Sequence, residues 1–244
     1  NNENIDVVYI SLPMNLHEKW AIKAAKSGKH ILCEKSATLS YNSAKKIIKE
    51  CKNNNVQIME NFVFKFHPQH KKFLEIIKKN TIGNIHTFSS KYGFNLPLSK
   101  KNFRFNKKFG GGALNDVGCY LISASTFIFR DIPTSVFCNL EINNKLNIDV
   151  RGSILLTFSK NRSALVSFGY DNYFQSTYDV WGSKGLIKIE RAFNVPKNMK
   201  TTISLNQNDK IKKILIHPAN QFQLTIEDFC TKIKNNSNNN FDKE

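Results

Sequence analysis

The 244-residue chain carries 36 Lys and Arg against 19 Asp and Glu, a formal net charge of +17, with 41% hydrophobic residues. That is enough apolar content for one large or two small domains with their own cores, and no apolar run approaches the ~18–20 residues of a membrane span. The basic excess invites nucleic acid, but the lysines are dispersed among asparagines and no helix-turn-helix, zinc or RNA-binding signature occurs, so the charge reads as a field that draws in anionic substrates and phosphate-bearing cofactors.

The chain begins at Asn1, just before a near-continuous apolar run, Val7–Leu12, that suits a buried parallel strand. Asn15 and Glu18 then form a capping pair for a helix burying Leu16, Trp20, Ala21, Ala24 and Ala25, ended by Gly28. His30–Cys33 is the next strand, which places Glu34 and Lys35 at its carboxyl end, the edge where doubly wound sheets hold their ligands. Ser40 opens a second helix with Ala44, Ile47, Ile48 and Cys51 on one face, and Val56–Glu60 completes a further β-α-β step.

From about Phe62 the pattern changes. A helix is expected around His67–Lys79, then alternating strands at Ile85–Phe94, Ser135–Asn143, Val150–Phe158, Ser163–Tyr170, Ser176–Trp181, Leu186–Ile189 and Thr201–Leu205, which read as an antiparallel sheet. The fold expected is therefore α/β, the C-terminal half of a Rossmann domain in residues 1–61, followed in residues 62–244 by an α+β domain with a large, mainly antiparallel sheet. The first strand and Gly-x-Gly-x-x-Gly turn that would receive a cofactor pyrophosphate do not occur here, and the polar tract Asn235–Asn240 has no periodicity, so the chain reads as an internal fragment or a natural short form.

The most informative stretch is Gly110-Gly111-Gly112-Ala113-Leu114-Asn115-Asp116-Val117-Gly118-Cys119-Tyr120. Three glycines let the backbone turn tightly, and the Asp-x-x-x-Tyr spacing puts Asp116 and Tyr120 on one helical face. A Tyr with a Lys beside it can run carbonyl reduction: the phenol hands its proton to a forming alkoxide, while the ammonium lowers the phenol pKa from ~10 and polarises the substrate oxygen. The plainer alternative is a glycine-rich loop followed by a buried core tyrosine.

Together with Asp6–His17, Gly28–Lys35, Glu60-Asn61-Phe62, Phe66-His67-Pro68 and Val180–Gly185, this stretch resembles the Gfo/Idh/MocA oxidoreductases, a family of NAD(P)-dependent enzymes acting mostly on sugars and cyclitols. Ser36 stands where the family usually has Pro, and Tyr120 where many members carry His. The Tyr form is similar to glucose-fructose oxidoreductase, dihydrodiol dehydrogenases and nucleotide-sugar ketoreductases. The resemblance implies NADP or NAD as cofactor, bound by Leu12, Pro13, Asn15, His17, Glu34, Lys35 and Asn61. It implies Lys35, Tyr120 and Asp116 as catalytic residues, with Asp116 orienting Tyr120 or a substrate hydroxyl, and Arg104, Asn115 and Asp116 at the substrate. Glu34 meets the nicotinamide ribose or amide, or pairs with Lys35.

Segment Tyr178–Gly185 followed by Ile189–Phe193 looks most like the nucleotide-hexose ketoreductases, so the substrate expected is a small-molecule sugar, in its narrower form nucleotide-linked. A free-sugar or dihydrodiol dehydrogenase is the alternative enzyme, and a non-catalytic sugar or dinucleotide sensor the alternative from another class. The open face of the antiparallel sheet is expected to join copies of the chain. His67-Pro68-Gln69-His70 reads as a helix start rather than a metal site, so no metal is expected. Tyr173, Phe174 and Tyr178 read as sheet packing or as a lip over a sugar ring. Five scattered cysteines, odd in number and without Cys-x-x-Cys spacing, point to a reducing cytoplasmic setting, with no membrane and no nucleic acid as partners.

Overall fold

The computed structural model describes residues 2–99 and 102–235; Asn1 and the rest of the polar tract, from 236 onward, lie outside the described residues. Strands β1 (Val7–Ile10), β2 (His30–Cys33) and β3 (Ile58–Glu60) form a parallel sheet in the order β1-β2-β3. Ile10 is opposite Cys33, and Cys33 opposite Glu60, so the carboxyl ends of all three strands finish level. Helices α1 (His17–Lys26) and α2 (Tyr41–Asn53) cover the sheet, burying Ala21, Ala24, Ala25, Ile47 and Cys51 against Ile10, Ile31 and Cys33. Ser40 caps α2 through its side chain, which accepts from the Ser43 N–H.

The expected capping pair on α1 does not form. A 3-10 turn, Met14–Leu16, precedes the helix, Leu16 occupies the cap position without a side-chain bond, and Glu18 instead accepts from Lys46 of α2. Trp20 is 40% exposed rather than buried, and Lys19 and Lys23 lie over its ring. The buried stripe of α1 is His17, Ala21, Ala24 and Ala25, and Trp20 lies off it.

The second sheet has eight strands in the order β11-β10-β9-β8-β4-β7-β6-β5: β4 (Ile85–Asn95), β5 (Ser135–Asn143), β6 (Ile148–Phe158), β7 (Arg162–Gly169), β8 (Asp171–Gly182), β9 (Gly185–Ile189), β10 (Thr201–Gln207) and β11 (Lys210–Ile216). Every neighbouring pair is antiparallel except β4 and β7, which run parallel from Thr87 opposite Ser163 to Gly93 opposite Gly169. That exception arises because β4 is inserted between β7 and β8, separated from both by a long excursion of chain.

Helices α3 (Pro68–Lys78) and α4 (Cys119–Phe129) close one face of this sheet around a core that includes Phe64, Phe73, Phe88, Tyr92, Leu121, Ala124, Phe168, Tyr178 and Phe193. His67 and His70 belong to this interior. His67 caps α3, and His70 bonds the Tyr178 hydroxyl through Nδ1 at 2.5 Å and meets the Ala192 carbonyl through Nε2 at 3.0 Å. Burial with no counter-charge depresses the His70 pKa to about 3. Among the described residues no cluster of His, Cys, Asp or Glu is arranged to hold a metal ion, and no helix is long and apolar enough to cross a membrane. Tyr178 is fully buried, whereas Tyr173 and Phe174 are exposed on β8, with Arg191 stacked on Phe174.

The sequence reading did not anticipate β11 or the last helix, α5 (Gln221–Lys234). Helix α5 is capped by Asn220 and returns to the parallel sheet, where Phe229 packs on Leu32 and Met59. Its amphipathic spacing is weak because the exposed face also carries Phe222 and Ile226.

Candidate active site

The level carboxyl ends of β1, β2 and β3 present three loops toward the start of α4, and a cavity of about 180 Å³ opens between them. Its walls include Leu12, Pro13, His17, Glu34, Lys35, Arg104, Asn115, Asp116 and Tyr170. His17, almost fully buried, ties two of the loops together: Nε2 meets the Leu12 carbonyl at 2.7 Å and Nδ1 the Ala37 carbonyl at 3.2 Å.

Glu34 is held by its neighbours on the flanking strands. Its Oε1 accepts from the Tyr9 hydroxyl at 2.5 Å and from Asn61 Nδ2 at 2.6 Å. Burial and the adjacent carboxylate push the Tyr9 phenol up to about 12, so it stays a donor. The expected ammonium pairing of Lys35 with Glu34 is absent; only the Lys35 backbone N–H reaches the Glu34 carboxylate, at 3.3 Å.

The Lys35 ammonium points the other way. Nζ donates to the Asp116 carbonyl at 2.6 Å and to Asp116 Oδ1 at 2.8 Å. Asp116 Oδ2 accepts from Arg104 Nε at 2.8 Å and faces the Tyr170 hydroxyl at 3.2 Å. Asp116 is therefore a hub for Lys35, Arg104 and Tyr170, and not the partner of Tyr120 that the helical spacing suggested. Burial alone would raise its carboxyl, but the Lys35 and Arg104 charges outweigh that and hold it below the usual carboxylate range.

Local chain geometry makes this convergence possible. Residues Phe103–Phe105 and Lys107–Phe109 form two 3-10 turns, capped by the side chains of Asn102 and Asn106. The chain then doubles back so closely that a Cβ on Gly111 would stand 2.5 Å from the Arg104 carbonyl oxygen. Gly112 has φ +126°, outside the range that side chains tolerate, and a Cβ there would meet Asp149. Asp149 Oδ2, from β6, accepts the Leu114 N–H and so caps the following turn. That turn, Leu114–Gly118, is π-helical rather than α-helical, a widened turn often found at functional sites. It is one reason why Asp116 and Tyr120 do not stack as an α-helical pair would.

Tyr120 lies behind Lys35, with Nζ 4.9 Å from its ring centroid. It is 6% exposed, boxed by Phe62, Phe64, Tyr92 and Phe193, and is not part of the cavity wall. Lys35 was expected to lower its phenol pKa. Here burial dominates, reinforced by Cys119, Tyr92, Glu34 and Asp116, and the phenol is pushed well above its ordinary value. The Lys35 charge is already neutralised by Asp116.

The remaining candidates fall as follows. Asn115 lines the cavity and its Nδ2 bonds the Gly110 carbonyl at 3.0 Å. Asn15 and Asn61 do not line it, but each has a buried Oδ1 with no partner among the described residues. Sequence reasoning missed Tyr9, Asp149 and Tyr170, which carry no motif; the one available signal for Tyr170 was its place at the end of an expected strand.

Residues 1–62 match the oxidoreductase family with an NAD-binding Rossmann fold, and residues 70–188 match the GFO/IDH/MocA C-terminal domain. Among similar proteins, a dTDP-3,4-didehydro-2,6-dideoxy-alpha-D-glucose 3-reductase from Actinomadura kijaniata is 28% identical over 95% of this chain and 69% of its own length. A D-xylose 1-dehydrogenase (NADP(+)) from Haloferax volcanii is 27% identical over 100% of this chain and 74% of its own. The crystal structure of a 3-ketoreductase from Actinomadura kijaniata in complex with NADP and TDP-benzene superimposes with a TM-score of 0.91 at 26% identity, covering 99% of this chain and 75% of that one. A parallel three-stranded sheet that ends in an acidic-basic cavity, joined to a large mixed sheet and matched along both parts, makes this chain a member of the GFO/IDH/MocA oxidoreductase family.

Proposed function

We propose that this oxidoreductase interconverts a carbonyl and an alcohol on a sugar, in the narrower form a nucleotide-linked hexose, with NADP or NAD. The observation that carries the reading is the stack at the cavity floor, where the Lys35 ammonium sits between the cavity and the Tyr120 ring, fixed by two bonds to Asp116. The nucleotide-sugar reductase and the xylose dehydrogenase among its relatives support a sugar substrate.

The residues present fit a nicotinamide cofactor. The orphaned Oδ1 atoms of Asn15, in the 3-10 turn that leads into α1, and of Asn61, next after β3, are buried acceptors just outside the cavity wall, the kind of group that a carboxamide or ribose hydroxyl satisfies. Leu12, Pro13, Asn15, His17, Glu34, Lys35 and Asn61 would hold it. When bound, the cofactor supplies or accepts the hydride.

Two of the three Lys35 N–H groups go to Asp116, and the third is assigned to the substrate oxygen, where it stabilises developing negative charge. Tyr120, kept protonated by burial, is the assigned proton source in the reducing direction: the Lys35 N–H facing the substrate gives its proton to the alkoxide and is replenished from the phenol behind it. Arg104 and Asn115 meet substrate hydroxyls or a phosphate. A sensor would need neither a proton donor nor a lysine fixed beside it, which favours the enzyme.

The open face of the large sheet supports a homo-oligomer: Phe137, Leu165 and Trp181 are 72%, 50% and 64% exposed on it. Five free cysteines support a reducing, cytoplasmic setting.

The test uses the complete protein, with NADPH oxidation on dTDP-3,4-didehydro-2,6-dideoxyglucose and NADP reduction on D-xylose. Tyr120→Phe should lower kcat by about 10²- to 10⁴-fold while NADPH fluorescence binding is kept, and Lys35→Met should abolish turnover. Near-wild-type kcat in either variant would remove that residue from the reaction.

A further inference from the structure

We infer that Tyr170 is a positioning residue for the reaction, acting by holding the Asp116 carboxylate that fixes Lys35; the inference rests on the oxidoreductase reading above. Tyr170 follows β7 and is 1% exposed, yet it contributes to the cavity wall. Its backbone is pinned on both sides, with N–H to the Val150 carbonyl at 2.8 Å and carbonyl to the Leu96 N–H at 2.7 Å. Its ring is wedged against Phe94 and Phe105. A phenol fixed this way has one freedom left, the rotation of its hydroxyl, and that hydroxyl stands 3.2 Å from Asp116 Oδ2 and 3.1 Å from the Gly112 carbonyl.

The geometry matters because the other two partners of the Asp116 carboxylate, Lys35 and Arg104, both at 2.8 Å, come from loops. It sits in the π turn, whose backbone is tied by the Asp116 N–H to the Gly112 carbonyl at 3.1 Å, so its carboxylate is aimed by the side-chain partners it meets. The Arg104 that shares Oδ2 is 37% exposed and comes from a surface loop. Tyr170 is the contact that belongs to the sheet framework, and it links the rigid end of β7 to the ammonium of Lys35 through one carboxylate.

The charged and titratable groups facing Asp116 are Lys35 from the loop after β2, Arg104 from the 3-10 turns, Tyr170 just after β7, Tyr92 from β4, and Cys119 and Tyr120 from α4. Asp149 of β6 acts on Tyr170, and Glu34 on Tyr120. The Tyr170 phenol is pushed far above its ordinary value by burial and then by the Asp116 carboxylate, so it remains a donor at every working pH. Loss of that donor disfavours the ionised carboxylate, and the Asp116 titration moves upward.

The experiment is Tyr170→Phe in the complete protein, which keeps the ring and its packing and removes the hydroxyl. Two readouts are taken: ¹³C-carboxyl NMR titration of Asp116, assigned with an Asp116→Asn spectrum, and steady-state kinetics on the two sugars named above. The expected result is an upward shift of the Asp116 titration, a kcat lowered by about 10- to 100-fold at a KM changed less than about twofold, and an acid limb of the rate profile moved to higher pH. The NMR readout needs no turnover, so it separates this inference from the sugar assignment. A wild type inactive on both sugars, with the Asp116 shift intact, supports the clamp and counts against the substrate reading. An unshifted Asp116 titration, or a kcat equal to wild type, overturns the inference.

Discussion

Asp116→Asn changes one oxygen for an amide nitrogen and removes the charge that holds Lys35, so its cost can be worked from the contacts. Removing one side of a fully buried ion pair costs roughly 3–5 kcal/mol, because the other charge is stranded. Lys35 and Asp116 each keep 15% side-chain exposure and Arg104 keeps 37%. Water therefore recovers part of the loss at Lys35 and nearly all of it at Arg104, and Lys35 also retains the Asp116 carbonyl at 2.6 Å. About 2–3 kcal/mol remains, which for a chain of this size lowers Tm by about 4–12 °C.

The sign with pH follows from the depressed carboxyl. A carboxylate whose folded pKa lies below its unfolded value of ~3.9 stabilises the fold above that pH, and the contribution is lost as pH falls through the lower folded value. The Tm gap between wild type and Asp116→Asn should thus be full at pH 7, begin to narrow only below about pH 4, and vanish in stronger acid once pH passes the depressed folded value. Differential scanning calorimetry at pH 7 and in a series descending below about pH 4 measures it, and kcat at pH 7 should fall by about 100-fold as Lys35 loses its orientation. A Tm difference under about 2 °C at pH 7, or one that persists unchanged in acid, would refute the claim that this carboxylate fixes the ammonium.

His70 gives a second pH-dependent expectation: its folded pKa of about 3 lies below the unfolded ~6.5, so stability is complete above pH 6.5 and declines as pH falls, by up to about 1.4 kcal/mol per unit. Urea midpoints at pH 7 and 5 should show that slope in the wild type and lose it in His70→Gln, whose stability is lower throughout because the Tyr178 hydroxyl and Ala192 carbonyl lose their imidazole partner. For the open face of the large sheet, Phe137→Asp combined with Leu165→Lys should convert an oligomer to a monomer in light scattering, with far-UV circular dichroism unchanged. A mass equal to wild type would move the interface elsewhere.

Some of this molecule was legible without coordinates. The β-α-β order of the first 61 residues follows from apolar runs alternating with helical periods, and the strand ends fix where Glu34 and Lys35 must emerge, because a parallel sheet aligns its carboxyl ends. The glycine triplet marked a close backbone approach, and the structure shows what is approached, the Arg104 carbonyl and Asp149. Seven of the strands of the large sheet were anticipated from alternation, which is a local property of side chains that face a core and solvent in turn.

Tertiary structure decided what local pattern cannot encode. The parallel pairing of β4 with β7 depends on where a strand is inserted, and β11 and α5 have surfaces only partly apolar, so neither signalled itself. The partner of Lys35 was decided the same way. Its neighbour in sequence is Glu34, but alternate side chains leave a strand end in different directions, and Glu34 is claimed by Tyr9 and Asn61 while the ammonium reaches Asp116, 81 positions away. Helical spacing paired Asp116 with Tyr120, and a π turn together with Arg104 and Tyr170 undid that pairing. Sequence marked the candidate residues; the long-range packing of strand ends, glycine turn and buried aromatic rings determined which of them touch, because charges settle on the partner that three-dimensional geometry leaves within reach.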